Sequence, residues 1–190
     1  MTSNVFSAIL TAMEQGEDSV LCYIFASSGS VPRGEGARMA VFADRTIGTV
    51  GGGPVEFACI RMAREKLAAR ASGTGAYSLT SGKAASLGMV CGGDVEVCFW
   101  FIPADDAGAR QLMEAELALE QADENSWMIT HIADEQVVVG LYDRTNGLRL
   151  AGGIDSQDIS ELAGHTSVLR RAENGDILYV EPLSKAGMVY

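Results

Sequence analysis

The nine residues Gly48-Thr49-Val50-Gly51-Gly52-Gly53-Pro54-Val55-Glu56 carry the strongest chemical signal in the chain. An apolar run over 45–50 reads as a strand and feeds three consecutive glycines. Pro54 has φ pre-set near −65°, which suits the first turn of a helix. The glycines let the main chain take positive φ and bring a ligand against the backbone. The helix start presents unpaired N–H groups and a partial positive charge, so the pattern predicts an anion site. On that helix Glu56 shares a face with Ile60, Ala63 and Leu67, whereas Arg61, Arg64 and Glu65 lie elsewhere. A carboxylate so placed either complements the helix dipole and reaches solvent, or turns into the glycine gap to hold a ligand's N–H groups or a metal.

A second candidate is Cys91, within Gly88-Met89-Val90-Cys91-Gly92-Gly93-Asp94. Backbone N–H groups of such a loop lower a thiol's pKa and cradle an anion. The thiol then serves as nucleophile, persulfide carrier or soft metal ligand; the alternative is a small residue in a tight turn. Cys22 and Cys98 sit in apolar runs and Cys59 on the apolar side of the helix, so these three are expected to be inert core residues. The four cysteines lack the paired spacing of a zinc site. Arg33, in the hydroxyl- and glycine-rich stretch 27–36, is the cation available to a phosphate, or a solvated surface residue. His131 and His165 fall in strand-like runs without a ligand partner at useful spacing, which predicts structural roles.

The glycine turn is not a dinucleotide fingerprint, because Glu56 stands where a third small residue is needed for close helix packing. A P-loop is excluded, since no Gly-Lys-Ser/Thr follows.

These residues need scaffolding. Residues 5–13 carry helical apolar spacing (Val5, Phe6, Ile9, Leu10, Met13), capped by Thr2 or Ser3 and stopping near Gly16. Strands are predicted over 20–26, 37–42, 76–79, 95–102, 127–132, 136–142 and 177–182. Helices are predicted from Pro54 to about Ala71 (ended by Ser72-Gly73), from Asp105 or Asp106 to Gln121, and near 157–163. Asn146-Gly147 and Asn174-Gly175 are turn signals. Strands and helices interleave, but the hairpin turns argue for an α+β fold: a mixed β-sheet flanked by helices, with no Rossmann domain.

At 190 residues and 47% apolar composition, the chain suffices for one domain or two small ones. Its 14 basic and 25 acidic residues leave a net charge of −11. That balance disfavours nucleic acid or an anionic membrane as partner. No apolar run approaches a membrane span, and residues 1–15 lack a basic n-region with a cleavage site, so a cytoplasmic home is expected.

Three stretches together resemble the signature loops of the XdhC/CoxI family, accessory proteins of molybdenum hydroxylases such as xanthine dehydrogenase. They are Ser28-Gly29-Ser30-Val31-Pro32-Arg33 with Gly36-Ala37-Arg38-Met39, Gly48 to Glu56, and Gly88 to Gly93. The resemblance covers about residues 1–103 as a cofactor-binding domain. Residues 104–190 resemble the family's α/β middle segment, packing on that domain and ending where a Rossmann domain begins in longer members. It implies a chaperone that binds molybdenum cofactor (molybdopterin) transiently, protects it while its terminal sulfur is installed, and passes it to the apo-hydroxylase. An accessory role is implied in preference to an enzyme. The alternatives are a sulfur-transfer enzyme using Cys91, or a structural half of a longer two-domain protein.

On this reading the cofactor-binding residues are Ser30, Arg33, Gly51, Gly52, Gly53, Glu56, Cys91, Gly92 and Gly93. Arg33 and the helix N-terminus would hold the phosphate, Glu56 would pair with the amino-pyrimidine edge of the pterin, and Cys91 would face the molybdenum or its sulfur. The partners implied are an apo molybdenum hydroxylase, a cysteine desulfurase and a second copy of the chain. The apolar end Gly187-Met188-Val189-Tyr190 is expected to expose a strand edge near residues 176–190 and to drive self-association.

Overall fold

The computed structural model describes residues 5–78, 93–134, 136–149 and 156–183. Cys91, Gly92, the Thr2/Ser3 cap and the apolar end at 187–190 lie outside the described residues. The chain divides into two compact units, Met1–Asp105 and Asp106–Tyr190.

The first unit is a five-stranded antiparallel sheet in the order β3-β2-β1-β5-β4. Its centre is β1 (Ser19–Gly29), whose first seven residues are buried, as expected of an apolar run covered on both faces. β1 pairs with β2 (Arg38–Val41) on one side and β5 (Gly93–Ile102) on the other, placing Cys22 opposite both Met39 and Phe99. β3 (Thr46–Gly48) and β4 (Gly73–Ser78) form the edges. Helix α2 (Gly53–Ala69) buries Val55, Cys59 and Ala63 against Val20, Cys22, Ile24, Val97 and Phe99. Each such valine, isoleucine or phenylalanine contributes about 1.5–3 kcal/mol through burial. Helix α1 (Val5–Glu14) buries Val5, Phe6, Ile9, Ala12 and Met13 and packs on β2 and β3.

Two features differ from the sequence reading. Helix α2 begins one residue early, at Gly53, and ends at Ala69 instead of Ala71. The left-handed terminal residue is Arg70 (φ 52°), with its N–H on Leu67 O at 3.2 Å. Glycine is the usual occupant of that conformation. Here the Arg70 guanidinium is held by Asp18 and lies 5.2 Å from the Phe101 ring centre. Asp18 also accepts the Ala104 N–H at 2.8 Å, so one carboxylate ties the helix end to the end of β5. Gly73, expected to stop the helix, opens β4.

The second unit is another five-stranded antiparallel sheet, in the order β8-β7-β6-β10-β9. Its strands are β6 (Ser126–Ala133), β7 (Gln136–Asp143), β8 (Gly147–Arg149), β9 (Val168–Arg171) and β10 (Ile177–Pro182). α3 (Ala107–Gln121) is capped by Asp106, which accepts the Ala109 N–H at 2.9 Å. α4 (Ser156–Leu162) contributes Ile159 and Leu162 to a core with Trp127, Ile129, Tyr142 and Val180. Both Asn-Gly pairs make hairpin turns, joining β7 to β8 and β9 to β10. β10 lies between β6 and β9; the strand edge expected from the apolar end at 187–190 falls outside the described residues. His165 lies exposed in the turn after α4, not in a strand.

The class is α+β, without a Rossmann-like parallel sheet among the described residues. The sheets are antiparallel throughout, where one mixed sheet was expected. Helix α2 carries the chain from one sheet edge (β3) to the other (β4), so the strands it joins never pair side by side.

Candidate functional site

The first unit brings the loop after β1 and the glycine turn together at one end of its sheet, with Gly93 at the start of β5 beside them. The loop after β1 is pinned at its base by Gly36 N–H on Ile24 O and Ile24 N–H on Ala37 O, both 3.0 Å. Across it, Glu35 Oε1 accepts both the N–H and the hydroxyl of Ser27 at 2.8 Å. The glycine turn lies against this loop: a Cβ on Gly51 would sit 3.5 Å from Pro32 Cβ and 3.6 Å from Arg33 N. Gly93, where the third loop enters β5, is in tighter contact. A Cβ there would press into the Ser28 carbonyl and come within 2.8 Å of Val31 Cγ1 and 3.1 Å of Ser30 O. Ser30, Arg33, Gly51 and Gly93 are therefore neighbours, although 63 residues separate the first from the last along the sequence.

The glycine turn has an internal organiser. Gly51, Gly52 and Gly53 take φ of 121°, 74° and 63°, a path side chains disfavour. Inside it, Glu56 Oε2 accepts the Thr49 hydroxyl, the Val50 N–H (3.1 Å) and the Gly52 N–H (3.0 Å). Thr49 Oγ1 accepts the Gly51 N–H at 3.0 Å. Three successive amides are thus satisfied by the turn's own side chains, and the cap residue Gly52 supplies none. The sequence predicts an anion cradle here; its middle amides already face a carboxylate belonging to the protein. Glu56 Oε1 takes no hydrogen bond among the described residues. Arg33 is exposed and has no acidic partner among them.

Thr49 and Glu35 were not singled out from the sequence. A threonine two residues before a glycine is a local side-chain-to-backbone motif, and that signal was available. Glu35 carried none, since its partner Ser27 is eight residues away.

The described thiols are sealed. Cys22, Cys59 and Cys98 are buried thiols outside any disulfide. Burial raises the Cys22 thiol well above its ordinary range, and the neighbouring Cys59 and Cys98 add to that. Burial pushes Cys59 up to about 12; the Tyr77 hydroxyl beside it pulls the other way, and the charge of Glu56 adds to the rise. Such thiols stay protonated and unreactive at neutral pH. No group of three or more His, Cys, Asp or Glu side chains placed to hold a metal occurs among the described residues. No helix among them is long and apolar enough to cross a membrane.

Fold and site define an α+β protein in which a glycine turn holding a half-buried carboxylate lies against a loop that carries an exposed arginine. Residues 12–81 match the model of the XdhC and CoxI family. The match spans the first two loops and stops short of the third. No curated protein matches the sequence. A crystal structure described as a xanthine dehydrogenase from Bacillus halodurans superposes with a TM-score of 0.71 at 18% identity. It covers 95% of this chain and 53% of that one, so this chain spans about half the length of that protein and shares its fold over that half.

Proposed function

We propose that this chain binds molybdenum cofactor at the three-loop end of its first unit and hands it to an apo-hydroxylase of the xanthine dehydrogenase type. The contact of Gly51 and Gly93 with the loop that carries Ser30 and Arg33, beside the turn that holds Glu56, carries the reading. The residues present suit an anionic pterin. Positive-φ glycines remove the side chains that would keep a flat ligand off the backbone. Arg33 offers an unpaired guanidinium to the phosphate. Glu56 Oε1 is the oxygen left to accept from the amino-pyrimidine edge, while Oε2 keeps the turn in shape. Gly52, Gly53 and the first amides of α2 line the approach, with the helix dipole behind them. Cys91 and Gly92 belong to the same loop as Gly93, and on this reading they complete the site on the molybdenum side.

The cofactor is cargo, so the site needs grip without turnover machinery. A sulfur-transferase would need a reactive thiol; three of the four are buried, and that reading rests on Cys91 alone. A cysteine desulfurase remains a partner of this proposal as the source of the terminal sulfur, and a second copy of the chain as a further one. Native mass spectrometry and molybdenum analysis test the reading on protein purified from cells that make molybdopterin. The expected result is a pterin-sized adduct that disappears on denaturation. Protein that carries neither pterin nor molybdenum, and takes up neither when mixed with released cofactor, would contradict it.

A further inference from the structure

The outward face of α2 serves neither the core nor the loops. Phe57, Arg61, Arg64 and Ala68 fall within one narrow stripe at 100° per residue, opposite Val55, Cys59 and Ala63. All four are exposed, and Phe57 keeps 74% of its surface, the most exposed large apolar side chain among the described residues. Neither arginine has an acidic partner among the described residues. A chain with a net charge of −11 thus carries an unneutralised arginine pair beside an exposed aromatic ring. Aromatic residues and arginine are the types enriched where protein surfaces meet and where binding energy concentrates. A single exposed apolar residue is ordinary; the flanking arginines and the position, one turn beyond the glycine loop, set this one apart.

We infer that the Phe57–Arg61–Arg64 stripe of α2 is the surface on which the apo-hydroxylase docks, through an apolar socket rimmed by carboxylates. The inference rests on the reading above for the identity of the partner. Charge selects the occupant: two unpaired cations call for an acidic rim and repel a basic one. Size fits a transient visitor, since the twelve residues of helix from Phe57 to Ala68 span about 17 Å, a contact on the scale of weak, exchanging complexes. Placement fits delivery, because a protein seated on Phe57 lies beside the turn that would hold the cargo.

The test is a binding titration of the full chain against purified apo-hydroxylase at two salt concentrations, with cofactor retention and light scattering measured on the same samples. Phe57→Ala should weaken binding about ten-fold or more. The double variant Arg61→Glu, Arg64→Glu should weaken it at least as much, chiefly through slower association, and should remove most of the salt dependence. Both variants should retain the cofactor as the original protein does, since neither changes the loop site. Variants that bind the apo-hydroxylase as tightly as the original chain would overturn the docking surface and leave the cofactor reading intact. An original chain that holds cofactor yet never binds the apo-hydroxylase would overturn the partner. A dimer that Phe57→Ala converts to monomer would assign the stripe to a second copy and overturn the inference.

Discussion

Two turns in this molecule use the same device to different ends. In the first unit, Glu56 Oε2 gathers the Thr49 hydroxyl and the N–H groups of Val50 and Gly52. In the second, Asp143 Oδ1 gathers the Thr145 N–H, the Asn146 N–H and the Asn146 side-chain amide at 3.0, 2.6 and 2.9 Å. Each commits one carboxylate oxygen to three donors and so fixes a turn that ends in positive-φ glycine. They part at the other oxygen. Asp143 is 1% exposed, and its Oδ2 faces Arg149 at 3.4 Å. Glu56 is half-buried, has no cation in ion-pair range among the described residues, and belongs to the turn that lies against the loop after β1. The second oxygen of Asp143 is sealed beside Arg149 without a hydrogen bond of its own, whereas the Glu56 turn keeps its second oxygen on a half-buried side chain. What separates the two is access: a leftover oxygen can meet a ligand only where solvent reaches it.

The largest expected effect is at the loop junction. Gly93→Ala forces a Cβ into the Ser28 carbonyl and Val31, which should cost about 3 kcal/mol of stability as overpacking. It should also abolish cofactor retention, since the loops can no longer close together. Denaturant unfolding reads the first and metal analysis the second; an unchanged midpoint would mean that the loops do not touch there.

Asp143→Ala sharpens the comparison from the structural side. It strands the Thr145 and Asn146 turn amides and Arg149, for an expected loss of about 1–3 kcal/mol. Cofactor retention should be unaffected in the fraction that stays folded. Loss of binding in the folded fraction would erase the distinction between the turns.

Alkali should weaken the first unit. Cys59 has an ordinary thiol pKa of 9.0 and a folded value of about 12. Its contribution is intact below pH 9 and is lost progressively as pH rises toward 12, because only the unfolded chain ionises in that window. Cys22 and Tyr77 are raised in the same direction, mainly by burial. The urea midpoint should therefore fall between pH 9 and 11, and Cys59→Ala should flatten that fall. A midpoint that holds steady across the window would show the thiols to be solvated.

Much of this was legible beforehand because it follows from strong local rules. The buried run in β1, the Asn-Gly hairpins and the Pro54 helix start all rest on periodicity or on residues with restricted backbones. β8 and β9 were missed because Gly147–Arg149 and Val168–Arg171 are short and half polar. They are strands only because β7 and β10 pair with them. Arg70 could not be read as a helix stop because Asp18, which holds it, is 52 residues away. The loops were legible as a site through their glycines and their resemblance to a family. The engagement of Glu56 Oε2 was not, since helical spacing places a side chain on a face without saying which donors reach it.

The central claim is that the free oxygen of Glu56, and not the turn itself, makes the first unit a cofactor site. Glu56→Gln tests it most directly, because the amide keeps the shape and an acceptor for the turn while removing the charge. Released molybdenum cofactor should be titrated against the original chain, Glu56→Gln and, as a control on the closed turn, Asp143→Asn. The account predicts affinity about ten- to a hundred-fold weaker for Glu56→Gln, the effect of losing one charge-assisted bond, and no change for Asp143→Asn. Equal affinity for the original chain and Glu56→Gln would contradict it, leaving Glu56 a clamp on its own turn just as Asp143 is on its own.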